Sequence, residues 1–254
     1  MTGTRTKKPA PGQYALIAGS GFRDFGADSA THAVETEFGE PSSPVRELEY
    51  GEHKVFLIAR HGEELRIPAH RVNYRANMTA LRKLGVDSVV AINTVGVISG
   101  QVLPGQLAVP AQLIDYTWGR DHSIHDGESD NLTHIDFTEP FCSDLRQRIL
   151  DAAEAAGIAC HDGGVYAVTQ GPRLETAAEV RRLAQDGATF VGMTAMPEAS
   201  LAMELGMRYA CLSLIVNHAA GCGSTAIHED LEAHTATAKM QSMKVLRQFF
   251  HAVY

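Results

Sequence analysis

Short apolar runs alternate with stretches whose apolar residues recur every three or four positions, and this alternation continues from about residue 14 to residue 250. The runs at 14–19 (YALIAG), 54–59 (KVFLIA) and 87–93 (DSVVAIN) have the length and composition of strands. Four more strands are expected at 107–110, 165–170, 189–193 and 209–217. Helical spacing occupies roughly 73–84, 143–156, 176–185, 197–205 and 229–250. In the third of these, Ala177, Val180, Leu183 and Ala184 share one face. Strand–helix alternation predicts an α/β fold with a central mixed β-sheet, mostly parallel, flanked by helices. No repeat or compositional break divides the chain, so a single domain over 13–254 is expected. Residues 1–12 are basic and polar, lack the apolar stretch of a signal peptide, and read as a loose tail.

Composition narrows the class. With 44% hydrophobic and 20% charged residues the chain can build a sizeable core. A formal charge of −8 argues against broad nucleic-acid binding, yet leaves room for a small anion held by local amides and one Arg. No apolar run approaches the ~20 residues of a membrane-spanning helix. Cys142, Cys160, Cys211 and Cys222 form no C-x-x-C pair and no His/Cys cluster with zinc spacing, so no metal is expected. Reduced thiols in a cytoplasm fit these cysteines better than disulfides.

Candidate chemistry sits in turns that follow strands. "AGSGF" (18–22) has small residues that let backbone N–H groups converge on an anion, with Ser20 adding a hydroxyl; taken alone, a plain tight turn is the better explanation. "ARHG" (59–62) offers an Arg fork and an imidazole, or an ordinary surface pair. "NTVG" (93–96) and Thr194 in "GMTAMPEAS" (192–200) follow two further strands. Four anion-capable turns together carry weight, because ligands of α/β sheets gather outside the carboxyl ends of strands. In "TQGPRLETAAEV" (169–180), Thr176 and Glu179 form a capping box, which leaves Glu175 beside a helix start that needs no further carboxylate.

In order and spacing, "AGSGF", "RHG", "VNYRAN", "NTVG", "HIDFTEPFC", "QGPRLET", "GMTAMPEA" and "LIVNHAAG" resemble the trimeric purine nucleoside phosphorylase and methylthioadenosine phosphorylase family from about residue 14 to 250. The motifs lie nearest to its bacterial branch that cleaves S-methyl-5′-thioinosine. The resemblance implies phosphorolysis, in which inorganic phosphate is a co-substrate and no cofactor is needed. It places Ser20, Arg60, His61, Thr94 and Thr194 on phosphate, and Met193, Val95 and Gly96 beside the nucleoside. Leu174 would lie near the base or the 5′ group. His134 would reach a neighbouring subunit's site in a homotrimer.

Within that family a Glu and an Asn mark oxopurine-specific members, and a Ser and an Asp mark adenine-specific ones. Here the two positions hold Glu175 and Asn217. A 6-oxopurine presents an N1–H donor to the carboxylate and an O6 acceptor to the amide, whereas adenine would set N1, an acceptor, against a carboxylate. Hypoxanthine nucleosides are therefore expected, with Leu231, His234 and Ala238 of the last helix as candidates near the 5′ group. Three departures stand out: Val97 and Leu65 replace a small residue and a His usual in the family, and Ala18 opens the first turn in place of Gly. Inosine/guanosine or methylthioadenosine phosphorolysis is the nearest rival. A non-catalytic nucleoside-binding protein is a rival of another class, and a dehydrogenase fails for want of the full dinucleotide fingerprint.

Overall fold

Period-two alternation in the central strands divides the core into two layers. Along β1 (Tyr14–Ala18) every residue is buried, yet Ala15 and Ile17 join one cluster while Tyr14, Leu16 and Ala18 join the other. The same division runs through β5 (Ser88–Val97) and β11 (Arg208–His218), as expected of strands covered on both faces. Helices α1 (Tyr74–Lys83) and α4 (Ala195–Glu204) pack on one face. Helices α2 (Ser143–Ala155) and α5 (Ile227–Val253) pack on the other. A smaller cluster lies beneath α3 (Ala177–Gln185), where Val180 and Leu183 meet Ala167, Val191 and Ala219.

The computed structural model describes residues 12–19, 22, 25–50, 53–99, 102–125, 127 and 132–253. Ser20 and residues 1–11 of the expected tail lie outside them. The remaining strands are β2 (Ala27–His32), β3 (Val45–Tyr50), β4 (His53–Ala59), β6 (Leu107–Val109), β7 (Gln112–Asp115), β8 (Cys160–Asp162), β9 (Val165–Val168) and β10 (Phe190–Gly192). They form one mixed sheet, β2-β3-β4-β1-β5-β10-β9-β7, with β11 also pairing β5 and leading through β6 to β8. Pairs β1–β4, β1–β5 and β5–β11 are parallel, whereas β10 runs antiparallel to β5. Strand β5 is thus the hub. Its first half pairs with β1 and its distal end with β10, while β11 follows almost its whole length.

All seven predicted strands and all five predicted helices are present, with ends shifted by at most a few residues. Four strands escape the pattern. Strands β2 (ADSATH) and β3 (VRELEY) carry polar and charged residues in a peripheral antiparallel ribbon. There Glu47 is buried, held by His32 at 2.8 Å and Lys54 at 2.7 Å. Strands β7 and β8 are too short and too exposed to show a period. Residues 117–136, the longest polar stretch of the chain, have neither helix nor strand among those described.

Candidate active site

The site begins with a buried ion pair. Arg60, just past β4, and Glu198, in the first turn of α4, are 1% and 0% exposed. Arg60 Nε donates to Glu198 Oε1 at 2.6 Å and Nη2 to Oε2 at 3.0 Å. Its remaining donors reach the Ile92 carbonyl (2.8 Å) and the Ile17 carbonyl (3.4 Å), while the Tyr209 hydroxyl donates to Glu198 Oε2 at 2.8 Å. Burial opposes the guanidinium charge, but the Glu198 carboxylate overrides it and holds Arg60 protonated above its ordinary range. This corrects the reading of Arg60 as a free fork. The fork is taken by Glu198, two further N–H groups go to carbonyls, and the residue still lines the adjoining cavity.

That cavity, about 560 Å³, is lined by Gly19, Arg60, His61, Thr94, Val95, Gly96, Leu174, Glu175, Met193, Thr194 and Asn217 among others. Of the expected site residues, all but two are among these. Ser20 lies outside the described residues, although neighbouring Gly19 and Phe22 line the wall. His134 is exposed and does not line its own chain's cavity.

Several features leave polar groups available to a ligand. Strand β5 is buried throughout except at Thr94, whose exposure is into the cavity. Thr194 occupies the N-cap of α4, yet its hydroxyl makes no capping bond. His61 Nδ1 lies 2.8 Å from the Ile67 carbonyl. A carbonyl can only accept, so Nδ1 carries the hydrogen, and the opposite edge of the ring faces Gly19. Burial, and next the Arg60 charge, push the imidazole pKa down, so Nε2 is an acceptor near neutral pH.

Glu175 and Asn217, the two residues expected to read a base, both line the cavity. The capping box is present as expected: the Thr176 hydroxyl accepts from the Glu179 N–H at 3.1 Å, and Glu179 accepts from the Thr176 N–H at 2.7 Å. Arg173 and the Thr176 N–H hold the Glu179 carboxyl at about 2. Glu175 is left out of both arrangements. Its Oε1 accepts from the Thr169 hydroxyl at 2.6 Å, which fixes the half-buried carboxylate at the edge of the cavity it lines. Thr169 is an orienting residue that sequence reasoning missed; its only signal is a Thr at the end of a strand.

Asn217 owes its position to a bulge. The register of β11 on β5 slips between Ile215 and Asn217, so Val216 is the extra residue and the Asn side chain turns inward. Asn217 Nδ2 donates to the His218 carbonyl at 2.7 Å, leaving its second N–H for a ligand. Opposite it, a Cβ at Gly96 would lie 3.0 Å from that nitrogen, so the absence of a side chain there gives the amide its room. The turn beyond is tied down by Asp230, which accepts from the His218 N–H and ring at 2.9 Å each. The His218 N–H and the Thr225 hydroxyl hold this carboxyl down at about 2.

The three departures separate cleanly. Val97 is a core residue, 1% exposed, and does not line the cavity. Leu65 does line it, at a positive φ of 58°. Ala18 is simply the last residue of β1. On α5, Leu231 lines the cavity as expected, whereas Ala238 belongs to the core and His234 faces Gly105 rather than the wall. Helix periodicity explains the correction: Ile227, Leu231, Thr235 and Lys239, four apart, share the cavity face.

A family model described as Phosphorylase superfamily matches residues 13–251. The chain belongs to the phosphorylase superfamily. Over 193 residues (76% of this chain and 77% of the relative) it is 48% identical to the probable S-methyl-5′-thioinosine phosphorylase of Xanthomonas campestris. It is 40% identical over 215 residues, covering 82% and 80%, to the 6-oxopurine nucleoside phosphorylase of Pyrococcus furiosus. Among solved structures, the methylthioadenosine phosphorylase of Schistosoma mansoni in complex with tubercidin superposes with a TM-score of 0.89 at 30% identity, over 95% of this chain and 92% of that one.

In this phosphorylase the buried pair should dominate the stability of the site. Glu198→Ala leaves a buried guanidinium uncompensated, and is expected to cost about 3–5 kcal/mol in urea unfolding. A loss below ~1 kcal/mol would show that Arg60 finds other compensation.

Proposed function

We propose that the protein catalyses phosphorolysis of a 6-oxopurine nucleoside, with S-methyl-5′-thioinosine and phosphate giving hypoxanthine and 5-methylthioribose 1-phosphate. The observation that carries this reading is the pairing across one cavity of Glu175, aimed by Thr169, with the spare N–H of Asn217. An oxopurine satisfies both: its N1–H donates to the carboxylate and its O6 or N7 accepts from the amide. Adenine would leave Glu175 facing an acceptor, and an unmatched buried polar group costs about 1–3 kcal/mol.

In this mechanism phosphate sits beside Gly19, His61, Thr94 and Thr194, with the protonated Arg60 behind it. It attacks the anomeric carbon as the glycosidic bond loosens. The ribose gains oxocarbenium character and the purine gains negative charge. Rate comes from alignment of the two substrates and from Asn217 donating to the base as its charge develops. Met193, between the two ends, packs against the sugar. Inorganic phosphate is the co-substrate, and no cofactor enters.

For the 5′ group, α5 presents the aliphatic Ile227 and Leu231, and the Thr235 hydroxyl is already donated to the Leu231 carbonyl at 2.6 Å. That wall suits a methylthio substituent. Lys239 on the same face is a donor for a 5′-hydroxyl, which is the ground for inosine as a second reading. We also place the protein as a cytoplasmic homotrimer, in which the exposed His134 serves a neighbouring cavity.

Three measurements test the reading. Initial rates of phosphate-dependent base release from inosine, adenosine and their 5′-methylthio analogues should rank methylthioinosine first, with the adenine nucleosides at least about tenfold slower. No phosphate-dependent release from any of the four overturns the proposal. Glu175→Gln should lower kcat/KM for methylthioinosine about 10–100-fold while the unfolding midpoint stays near wild type; unchanged kinetics would return Glu175 to a surface role.

The third test is pH. Neutral His61 accepts at Nε2, so it needs a phosphate oxygen that carries a proton. The His61–phosphate pair therefore holds one proton more than neutral imidazole plus dianion, and binding must weaken as that proton is lost. The KM for phosphate is expected to rise with pH above neutrality, towards tenfold per unit. In His61→Gln, which supplies a donor instead, the slope should flatten. Parallel profiles would exclude the proton-sharing arrangement.

A further inference from the structure

The guanidinium of Arg120, in the polar stretch before α2, lies where two site segments part. Nη1 donates to the carbonyls of Met193 (2.8 Å) and Met196 (2.5 Å), and Nη2 to those of Thr169 (3.2 Å) and Gln170 (2.9 Å). Nε reaches Gln170 Oε1 at 3.2 Å, and the group stacks over the Tyr74 ring at 5.3 Å, with Nη1 also 3.2 Å from its hydroxyl. No carboxylate is among these partners; carbonyl dipoles and an aromatic face surround the charge.

The four carbonyls belong to two chain segments with different tasks. Strands β9 and β10 run parallel and in register up to Val168 and Gly192. Beyond that they have no ladder to keep them together. One continues through Thr169, which orients Glu175; the other continues as Met193 and Thr194 into α4. The Thr169 N–H still reaches the Gly192 carbonyl at 2.8 Å, and past that point Arg120 bridges the gap from above. Tyr74 in turn is anchored through its hydroxyl to the Ala69 carbonyl at 2.9 Å, so the clamp is seated on α1.

We propose that Arg120 is a positioning residue for the reaction: one guanidinium sets the spacing between the base-reading Glu175 and the Met193–Thr194 turn. The inference rests on the function proposed above, since that reading puts the base on one segment and phosphate and ribose on the other. Arg120 touches neither substrate. It holds the geometry in which bound phosphate faces the anomeric carbon of a bound nucleoside, and misplacement of about 1 Å between reacting groups costs on the order of 100-fold in rate. A Lys cannot replace it, because one ammonium nitrogen cannot bridge carbonyls approached by a planar fork.

The test uses full-length Arg120→Ala and Arg120→Lys, with Arg148→Ala as a surface control. Both Arg120 variants should lose about 100-fold or more in kcat, while hypoxanthine alone and phosphate alone bind within about threefold of wild type. Millimolar guanidinium should restore activity to Arg120→Ala, but not raise that of wild type or Arg148→Ala. Unchanged kcat in both variants overturns the inference. So does a loss that follows unfolding, with both ligand affinities falling together and no rescue by guanidinium. Should the Ala variant not fold, the Lys variant decides through the same split between kcat and binding. Failure of the functional reading is distinct: the wild-type enzyme itself would then show no phosphorolysis.

Discussion

The buried bidentate pair between Arg60 and Glu198 is the constraint on which the site is built. Arg60 follows β4, accepts a fixed orientation from carbonyls of β1 and β5, and meets a carboxylate from α4 that is itself bonded by Tyr209 of β11. The two side chains together therefore link four strands of the sheet to the helix whose N-cap is Thr194. Desolvating two charges is costly, and a well-packed apolar pair can be as stable. The pair nevertheless gives what an apolar pair cannot, a fixed guanidinium, its charge balanced by Glu198, at the cavity wall. Its cost in desolvation is met by near-complete satisfaction of its hydrogen bonds, which also removes the freedom a surface Arg would keep.

Around this pair, three polar groups that line the cavity have one side committed to the protein. His61 spends Nδ1 on Ile67, Glu175 one oxygen on Thr169, and Asn217 one N–H on the His218 carbonyl. The uncommitted half of each group is what remains for a ligand. Such half-satisfied groups are held in orientation before a ligand arrives, and little reorganisation is left for the reaction. The same logic extends outwards: Asp230 holds the turn after Asn217, and the Arg120 guanidinium gathers the carbonyls where β9 and β10 diverge.

Legibility followed the physics of burial. Strands such as β5 and β11, covered on both faces, appear in the sequence as unbroken apolar runs, and the helices appear as a spacing. Strands β2 and β3 were hidden because a peripheral ribbon tolerates charges, and β8 because three residues hold no period. Glu175 was visible as a carboxylate left over beside a complete capping box, a local argument needing no tertiary contact. Glu198 was not: an acidic residue near a helix start has an adequate local explanation in the helix dipole. Only its burial against Arg60, 138 positions away, shows its other role.

By itself, the sequence determined the order of the buried strands and of the helices, a central sheet flanked by helices, and the chemical types of residue at the strand ends. These are consequences of hydrophobic period and of local capping, which act within a few residues. Tertiary structure alone decided which of those residues share a cavity and which hydrogen-bonding half of each remains free. It turned Arg60 from a fork into a buried anchor, assigned Ala238 to the core and Leu231 to the wall, and brought Arg120 from a long polar loop onto four carbonyls. Those outcomes depend on pairings between distant segments, where strand register and the β11 bulge set directions to within one residue, and no local pattern encodes such a register.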